Sequence, residues 1–327
     1  MRKLGGNLKA EPSTSRPLAQ TSQGPIELVC VTGANGFLGH AIVNKLEKMK
    51  INVLALSRSK ITRVNYDKNE NATQIVGSLQ DWVDVVHELK PNVIISCDWE
   101  GVDKNFRNGI VQSNNAERVG ALAEAAKLVG TGTFLAFGSQ DEVSPQTFQI
   151  SENASTNPQS EYGRAKILTK DKLNEILAGT ETNFIWARVF TIYGPGDVRS
   201  TLITDCIKDR FQETNFMLNH PDKYWSFLFI DDFVNAVLDI IFKINRPLTI
   251  NVGSDTAVKL QDVVRMIQST DLSIGAKLFW GEAVRSYPYP TWIPQIDTLK
   301  SLGWRPGIDI QDGLFETLNW WSERVIR

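Results

Sequence analysis

Val31-Thr32-Gly33-Ala34-Asn35-Gly36-Phe37-Leu38-Gly39 is the stretch that decides the fold of this chain. It follows an apolar run that begins at Ile26, and it leads into a helical pattern over 36–49. A strand that ends on spaced glycines and passes straight into a helix reads as the opening of a βαβ unit. The spacing is G-x-x-G-x-x-G rather than G-x-G-x-x-G. The chemistry is the same: glycines let the backbone turn tightly and approach a pyrophosphate, whose charge sits at the helix N-terminus.

Outward from this loop, short apolar runs alternate with amphipathic stretches. The strand candidates are Ile26–Thr32, Asn52–Ser57, Asn92–Cys97, Thr133–Gly138 and Asn183–Val189. Helical patterns fall at 36–49, 79–89, 110–129 and 161–177. This alternation predicts an α/β fold, a doubly wound parallel sheet of the Rossmann type with helices on both faces. Ligands of such sheets bind beyond the carboxyl ends of the strands. Thr32-Gly33, Cys97-Asp98-Trp99, Ser139 and Arg188 stand at those ends and are expected to line one crevice.

After Val189 the texture changes. Tyr193-Gly194-Pro195-Gly196-Asp197 is a turn, and shorter elements follow without the βαβ rhythm. The expected division is a dinucleotide-binding domain over 26–190 plus 226–255, and a smaller C-terminal α/β domain over 191–225 plus 256–327. Phe227–Ile230 and a helix from Asp232 are expected to return to the sheet. Residues 1–25 carry Gly, Ser, Thr, Pro and Gln with almost no apolar periodicity. They read as a disordered leader, with an arm packed on a neighbouring subunit as the alternative.

Composition narrows the function classes. Of 327 residues, 42% are hydrophobic and 22% charged, with a formal net charge of −2. That balance gives no footprint for nucleic acid or an anionic membrane. No apolar run approaches the roughly 18 residues a membrane-spanning helix needs. Three widely spaced cysteines make neither a disulfide framework nor a metal site, so a reducing, cytoplasmic compartment is expected.

The end of the second strand candidate addresses the cofactor. An Asp or Glu there would bond the ribose 2′-hydroxyl of NAD; here the residues are Ser57-Arg58-Ser59-Lys60. A guanidinium and hydroxyls suit a 2′-phosphate instead, so NADP(H) is preferred and NAD(H) is the alternative. The expected cofactor set is Gly33, Asn35, Gly36, Phe37, Leu38, Gly39, Ser57, Arg58, Ser59 and Lys166.

Tyr162-Gly163-Arg164-Ala165-Lys166 supplies the chemistry. A Tyr and a Lys four residues apart share one helix face. Tyr162 can give a proton to a carbonyl or take one from an alcohol. Lys166 places a cation beside the phenol, which lowers its pKa. Upstream, Phe134-Leu135-Ala136-Phe137-Gly138-Ser139 reads as a buried strand that delivers a hydroxyl at its end, suited to bonding the reacting oxygen. Ser139, Tyr162 and Lys166 are the candidate catalytic residues.

In these motifs the chain resembles the extended short-chain dehydrogenases/reductases, the nucleotide-sugar epimerase/dehydratase/reductase superfamily. The match runs from about Ile26 to Trp321. It includes the TGxxGxxG loop, the Ser with YxxxK, and Arg188 leading to Tyr193-Gly194-Pro195. Phe229-Ile230-Asp231-Asp232, Asn251-Val252-Gly253 and Leu302-Gly303-Trp304-Arg305-Pro306 also fit, and Asn115 matches a structural Asn. The resemblance implies a C-terminal domain that binds a nucleoside diphosphate sugar. It also implies a homodimer paired through the helices near 110–129 and 161–177.

Within that superfamily, dehydratases carry an Asp-Glu pair directly after the Ser/Thr. Here the order is Ser139-Gln140-Asp141-Glu142, unless the register slips by one residue. GDP-fucose synthase-like members add a Cys near the Ser and a His after the Tyr-Gly-Pro turn, and neither is present. The stretch from Trp280-Gly281 through Arg285 to Leu302-Gly303-Trp304 is similar to CDP-abequose synthase-like 4-keto-6-deoxyhexose reductases. The expected reaction is therefore NADPH-dependent reduction of the 4-keto group of a nucleotide-linked 4-keto-6-deoxyhexose. An NAD-retaining 4-epimerase and a non-catalytic nucleotide-binding subunit are the alternatives. Trp99, Gln140, Asp141, Thr191 and Arg285 form the expected substrate set. Arg285 matches a pyrophosphate-binding arginine, whereas Trp225 replaces a second one and Thr191 replaces an Asn.

Overall fold

A computed structural model describes residues 20–21, 24–59, 71–103, 106–144, 149–269, 278–280 and 291–325. Its centre is a seven-stranded sheet of β1 (Leu28–Thr32), β2 (Asn52–Ser57), β3 (Ala72–Val76), β4 (Val93–Ser96), β5 (Thr133–Ser139), β6 (Asn183–Val189) and β7 (Leu248–Val252). The order is β7-β6-β5-β4-β1-β2-β3, and every pairing is parallel. Strands β4 and β5 are buried along their whole length. Continuous apolar runs of that kind belong to a parallel sheet covered on both faces.

The helices that cover it are α1 (Phe37–Lys48), α2 (Leu79–Leu89), α3 (Val111–Val129), α4 (Glu161–Leu177), α5 (Leu202–Phe211), α6 (Ile230–Lys243), α7 (Leu260–Ser269), α8 (Asp297–Ser301) and α9 (Ile310–Val325). One apolar cluster joins α1 and α6 through Ile42, Val43, Val237 and Ile241 and runs on to Ile207, Val264 and Leu318. The opposite face is packed by α2, α3 and α4 through Trp82, Leu122 and Leu173 around Phe134 and Trp186. The Rossmann-type α/β architecture expected from the sequence is the one observed.

Two parts of the sheet differ from expectation. β3 forms an edge, and its residues Ala-Thr-Gln-Ile-Val are only partly buried, so it has little apolar signal. Phe227–Ile230 does not return to the sheet. Leu228–Phe229 pairs instead with Ile192–Tyr193 in a separate parallel ladder, and α6 starts at Ile230. The strand that closes the sheet is β7, on β6.

Two further ladders lie beyond the main sheet: Phe216–Leu218 with Leu278–Trp280, and Tyr224–Ser226 with Ala257–Lys259. Buried polar groups fasten these later segments. Asp232 accepts hydrogen bonds from the amides of Gly307 and Ile308 at 3.0 and 2.9 Å, while Trp304 Nε1 donates to the Asp232 carbonyl. Asn251 Nδ2 donates to the carbonyls of Ile150 and Gln295. The end of the leader is also more regular than expected. Gln20–Thr21 pairs antiparallel with Gly24–Pro25 and lies against α6.

Candidate active site

The glycine loop is built by close backbone approach. Gly33 has φ +62°, and a Cβ there would meet the backbone of Cys97 at 2.8 Å. A Cβ on Gly39 would stand 2.4 Å from the Gly33 carbonyl oxygen. Gly36 caps α1 with extended backbone and no side-chain bond to the first turn, which also holds no acidic residue. The amides at this helix start are therefore open to an anion and favoured by the helix dipole. The residues fit a dinucleotide pyrophosphate.

A cavity of about 560 Å³ opens beside the loop at the carboxyl ends of the strands. It is lined by Gly36, Phe37, Leu38, Gly39, Trp99, Ser139, Gln140, Asp141, Tyr162, Lys166 and Thr191. Eleven residues singled out in the sequence thus meet in one place. Gly33 lies behind the loop, and Asn35 donates to Ser59 Oγ at 3.1 Å just outside the cavity. The Ser57 hydroxyl is turned onto the Ser59 carbonyl at 2.7 Å. Arg285, Lys60, Tyr287 and Tyr289 lie outside the described residues.

Tyr162 is buried, and burial pushes its hydroxyl up to about 12. Arg107 is the chief counterweight, followed by a hydrogen bond with Ser139, while Asp141 and Glu142 push upward. Lys166 was expected to be that cation. In the structure its Nζ stands 5.6 Å from the centre of the Tyr162 ring, donates to the Phe137 carbonyl at 2.8 Å and lies 3.4 Å from the centre of the Trp99 ring. Burial pulls Lys166 down to about 7. Trp99 meets Tyr162 edge-on, with ring centroids 6.0 Å apart.

Arg107 is the residue that sequence reasoning missed. It sits in a segment without apolar periodicity, where nothing marks one arginine above another. Its guanidinium lies 5.0 Å from the Tyr162 ring centre and pairs with Asp141 at 2.5 Å. Arg199 is a second omission on the cavity wall, gripped by Asp197 at 2.7 and 2.9 Å and stacked over Phe37.

Arg188 does not join the crevice. It is fully buried and pairs with Glu142, which also accepts from Trp186 Nε1 and the Ser139 amide. Of the two acids after Gln140, only Asp141 reaches the cavity; Glu142 is locked beneath it. Thr191 lines the cavity, donates weakly to Gln140 and accepts from Trp225 Nε1 at 2.6 Å. Trp225 is half-buried and packed against Trp292. Among the described residues no cluster suits a metal ion, and no helix is long and apolar enough to cross a membrane.

The arrangement can present a neutral phenol and a serine hydroxyl to one oxygen of a bound substrate, next to an anion-binding helix start. CDP-abequose synthase of Salmonella typhimurium is 25% identical over 89% of this chain and 97% of its own length. MoeE5, solved with UDP-glucuronic acid and NAD, superposes with a TM-score of 0.79 at 21% identity, covering 90% of this chain and 99% of that one. The UDP-glucuronic acid 4-epimerase of Bacillus cereus, solved with NAD, gives a TM-score of 0.77 at 18% identity, with 91% and 99% covered. The model of the NAD dependent epimerase/dehydratase family matches residues 29–253, more than half of the chain. The chain belongs to that family, within the nucleotide-sugar epimerase, dehydratase and reductase superfamily.

Proposed function

We propose that this protein reduces the 4-keto group of a nucleoside-diphosphate-4-keto-6-deoxyhexose with NADPH. The observation that carries the reading is the meeting of Ser139, Tyr162 and Lys166 beside the glycine loop while Glu142 is turned away beneath Arg188. Elimination of water by the acid pair that follows the strand-end serine calls for both carboxyl groups, and of Asp141 and Glu142 only Asp141 is presented. Reduction calls for one proton donor, and a phenol held up at about 12 is fully protonated at neutral pH.

The bound cofactor supplies hydride. The protein's own residues do the rest: Tyr162 gives its proton to the carbonyl oxygen, and Ser139 bonds that oxygen as charge develops. Lys166, on the cavity wall, holds a positive charge below about pH 7 in the ligand-free site and would hold the nicotinamide ribose. Gln140, Asp141, Thr191 and Trp99 contact the sugar. The segments 191–225 and 256–327, including Arg285, form the nucleotide-binding part. Arg58 and Ser59 at the end of β2 support NADP(H).

The same place favours a second reading. Arg58 is paired with Asp98 and Glu100, which reduces its hold on a 2′-phosphate and suits an NAD-retaining 4-epimerase. Exposed Leu128 on α3 and Leu168 on α4 support a homodimer through those helices, and light scattering at working concentration tests it. Three free cysteines support a reducing compartment.

The deciding experiment follows NADPH and NADH oxidation with CDP-, dTDP-, GDP- and UDP-linked 4-keto-6-deoxyhexoses, with Tyr162→Phe as the blank. Turnover with NADPH that is lost in the variant supports the reductase. No consumption, with NAD carried through purification, moves the assignment to the epimerase.

A further inference from the structure

Among the described residues, four charges meet at the end of β2, not one free arginine. Arg58 Nη1 pairs with Glu100 Oε1, and its Nε lies 3.8 Å from Asp98 Oδ1. Arg118, from α3, pairs with the same Asp98 and reaches Glu100 Oε1 at 2.9 Å. Two cations and two anions leave the cluster neutral. A 2′-phosphate arriving here gains the Arg58 guanidinium only by taking it from a carboxylate.

The backbone that carries that carboxylate is fixed in place. The Glu100 amide donates to Asn115 Oδ1 at 2.9 Å, and Asn115 Nδ2 returns a bond to the Glu100 carbonyl at 3.0 Å. Asn115 is fully buried. One step back, the Asp98 amide donates to Thr32 Oγ1, which ties the segment to β1. Arg58 is the more exposed of the two cations, with its side chain 55% exposed against 18% for Arg118. When Arg58 turns to a phosphate, the Glu100 charge stays behind, close to the new dianion.

We propose that Glu100 is the residue that sets the ratio of NADPH to NADH affinity, by holding Arg58 in competition with the 2′-phosphate. The proposal rests on the reading of the glycine loop as a dinucleotide site. It gives Arg58 a graded role: the chain takes NADPH, and the held carboxylate keeps NADH within reach. Asp98 is the lesser contributor, because Arg58 comes no nearer to it than 3.8 Å whereas it pairs closely with Glu100.

The test is calorimetric titration of NADPH and NADH into the wild type, Glu100→Gln, Arg58→Ala and the double variant. Glu100→Gln keeps side-chain size and leaves both backbone bonds to Asn115 and the Arg118–Asp98 pair in place, so the fold is retained; thermal unfolding checks this. The expected result is NADPH binding tightened roughly three- to tenfold in Glu100→Gln, as for one charge-assisted bond released. NADH binding stays within about twofold, and the gain disappears when Arg58 is also removed, as coupled residues require. An unchanged NADPH-to-NADH ratio in Glu100→Gln overturns the proposal, as does a gain that persists without Arg58. Failure of both dinucleotides to bind the wild type overturns the dinucleotide reading itself.

Discussion

The guanidinium of Arg107 lies 5.0 Å from the centre of the Tyr162 ring, and the Arg107 carbonyl accepts the Tyr162 amide hydrogen at 2.8 Å. One residue thus fixes both the backbone and the electrostatics of the proton donor. Arg107 is itself held, through Nε on the Val102 carbonyl and through its ion pair with Asp141.

Arg107→Gln should therefore weaken the acid. Removing the largest influence that lowers the Tyr162 pKa lets burial and Asp141 drive it above its present level of about 12. The expected outcome is a loss of roughly tenfold in kcat for ketone reduction, a fraction of the roughly 10²–10⁴-fold that acid catalysis supplies, with the NADPH Kd unchanged. Adding Asp141→Asn removes an opposing charge and should restore part of the loss. Steady-state kinetics with the responsive 4-keto sugar check both.

Glu142→Gln should act on stability, although the residue stands three positions from Ser139. The carboxylate and its partner Arg188 are both buried, and no water reaches them to replace the pairing. Breaking such a pair from one side costs about 3–5 kcal/mol. Urea unfolding should show that loss, and Glu142→Gln with Arg188→Met, which removes both charges, should cost less than Glu142→Gln alone.

How much of this was legible follows from what each element must bury. β1, β2, β4, β5 and β6 are nearly uniform apolar runs, and a central parallel strand writes itself that way. β3 escaped because an edge strand is free to carry Thr and Gln. The catalytic residues were legible because Ser139 ends a buried strand and Tyr162 and Lys166 share a helix face. Arg107, Arg199 and Glu100 were not. Their roles come from a loop brought across the strand ends by contacts distant in sequence, such as the Glu100–Asn115 bonds and the Ser200 amide on Asp103. Arg188 misled for the same reason. Its place at a strand end is right, but the face it points to is set by Glu142.

Gly39→Ala should separate binding from folding along the loop. The added carbon meets the Gly33 carbonyl oxygen at 2.4 Å, backbone against backbone, so the loop must shift. The equivalent carbon on Gly36 stands 3.1 Å from the same oxygen, which a small adjustment relieves. The expected order of dinucleotide affinity is wild type, then Gly36→Ala, then Gly39→Ala. The last should be weaker than wild type by about five- to 150-fold, for a cost of about 1–3 kcal/mol in overpacking. Titration with NADH and NADPH reads it directly.

Lys166→Met should make the protein more stable at pH 6, while abolishing turnover. The folded pKa of Lys166, about 7, lies below the ordinary lysine value of 10.5, because burial disfavours the ammonium. Below pH 7 the lysine is charged in both folded and unfolded chains, and the folded state bears the whole cost of burying it. Between pH 7 and 10.5 the folded lysine is neutral while the unfolded one still binds a proton, so stability rises with pH across that window. Above it both are neutral and the cost is gone. The advantage of Lys166→Met should therefore be largest at pH 6, roughly 1–4 kcal/mol, and shrink steadily toward pH 10. The hydrogen bond from Nζ to the Phe137 carbonyl, lost in the variant, offsets part of it. Chemical unfolding of both proteins from pH 6 to 10 measures the difference. A pH-independent gap would mean that Lys166 titrates like an exposed lysine and is not buried as an ammonium in the native state.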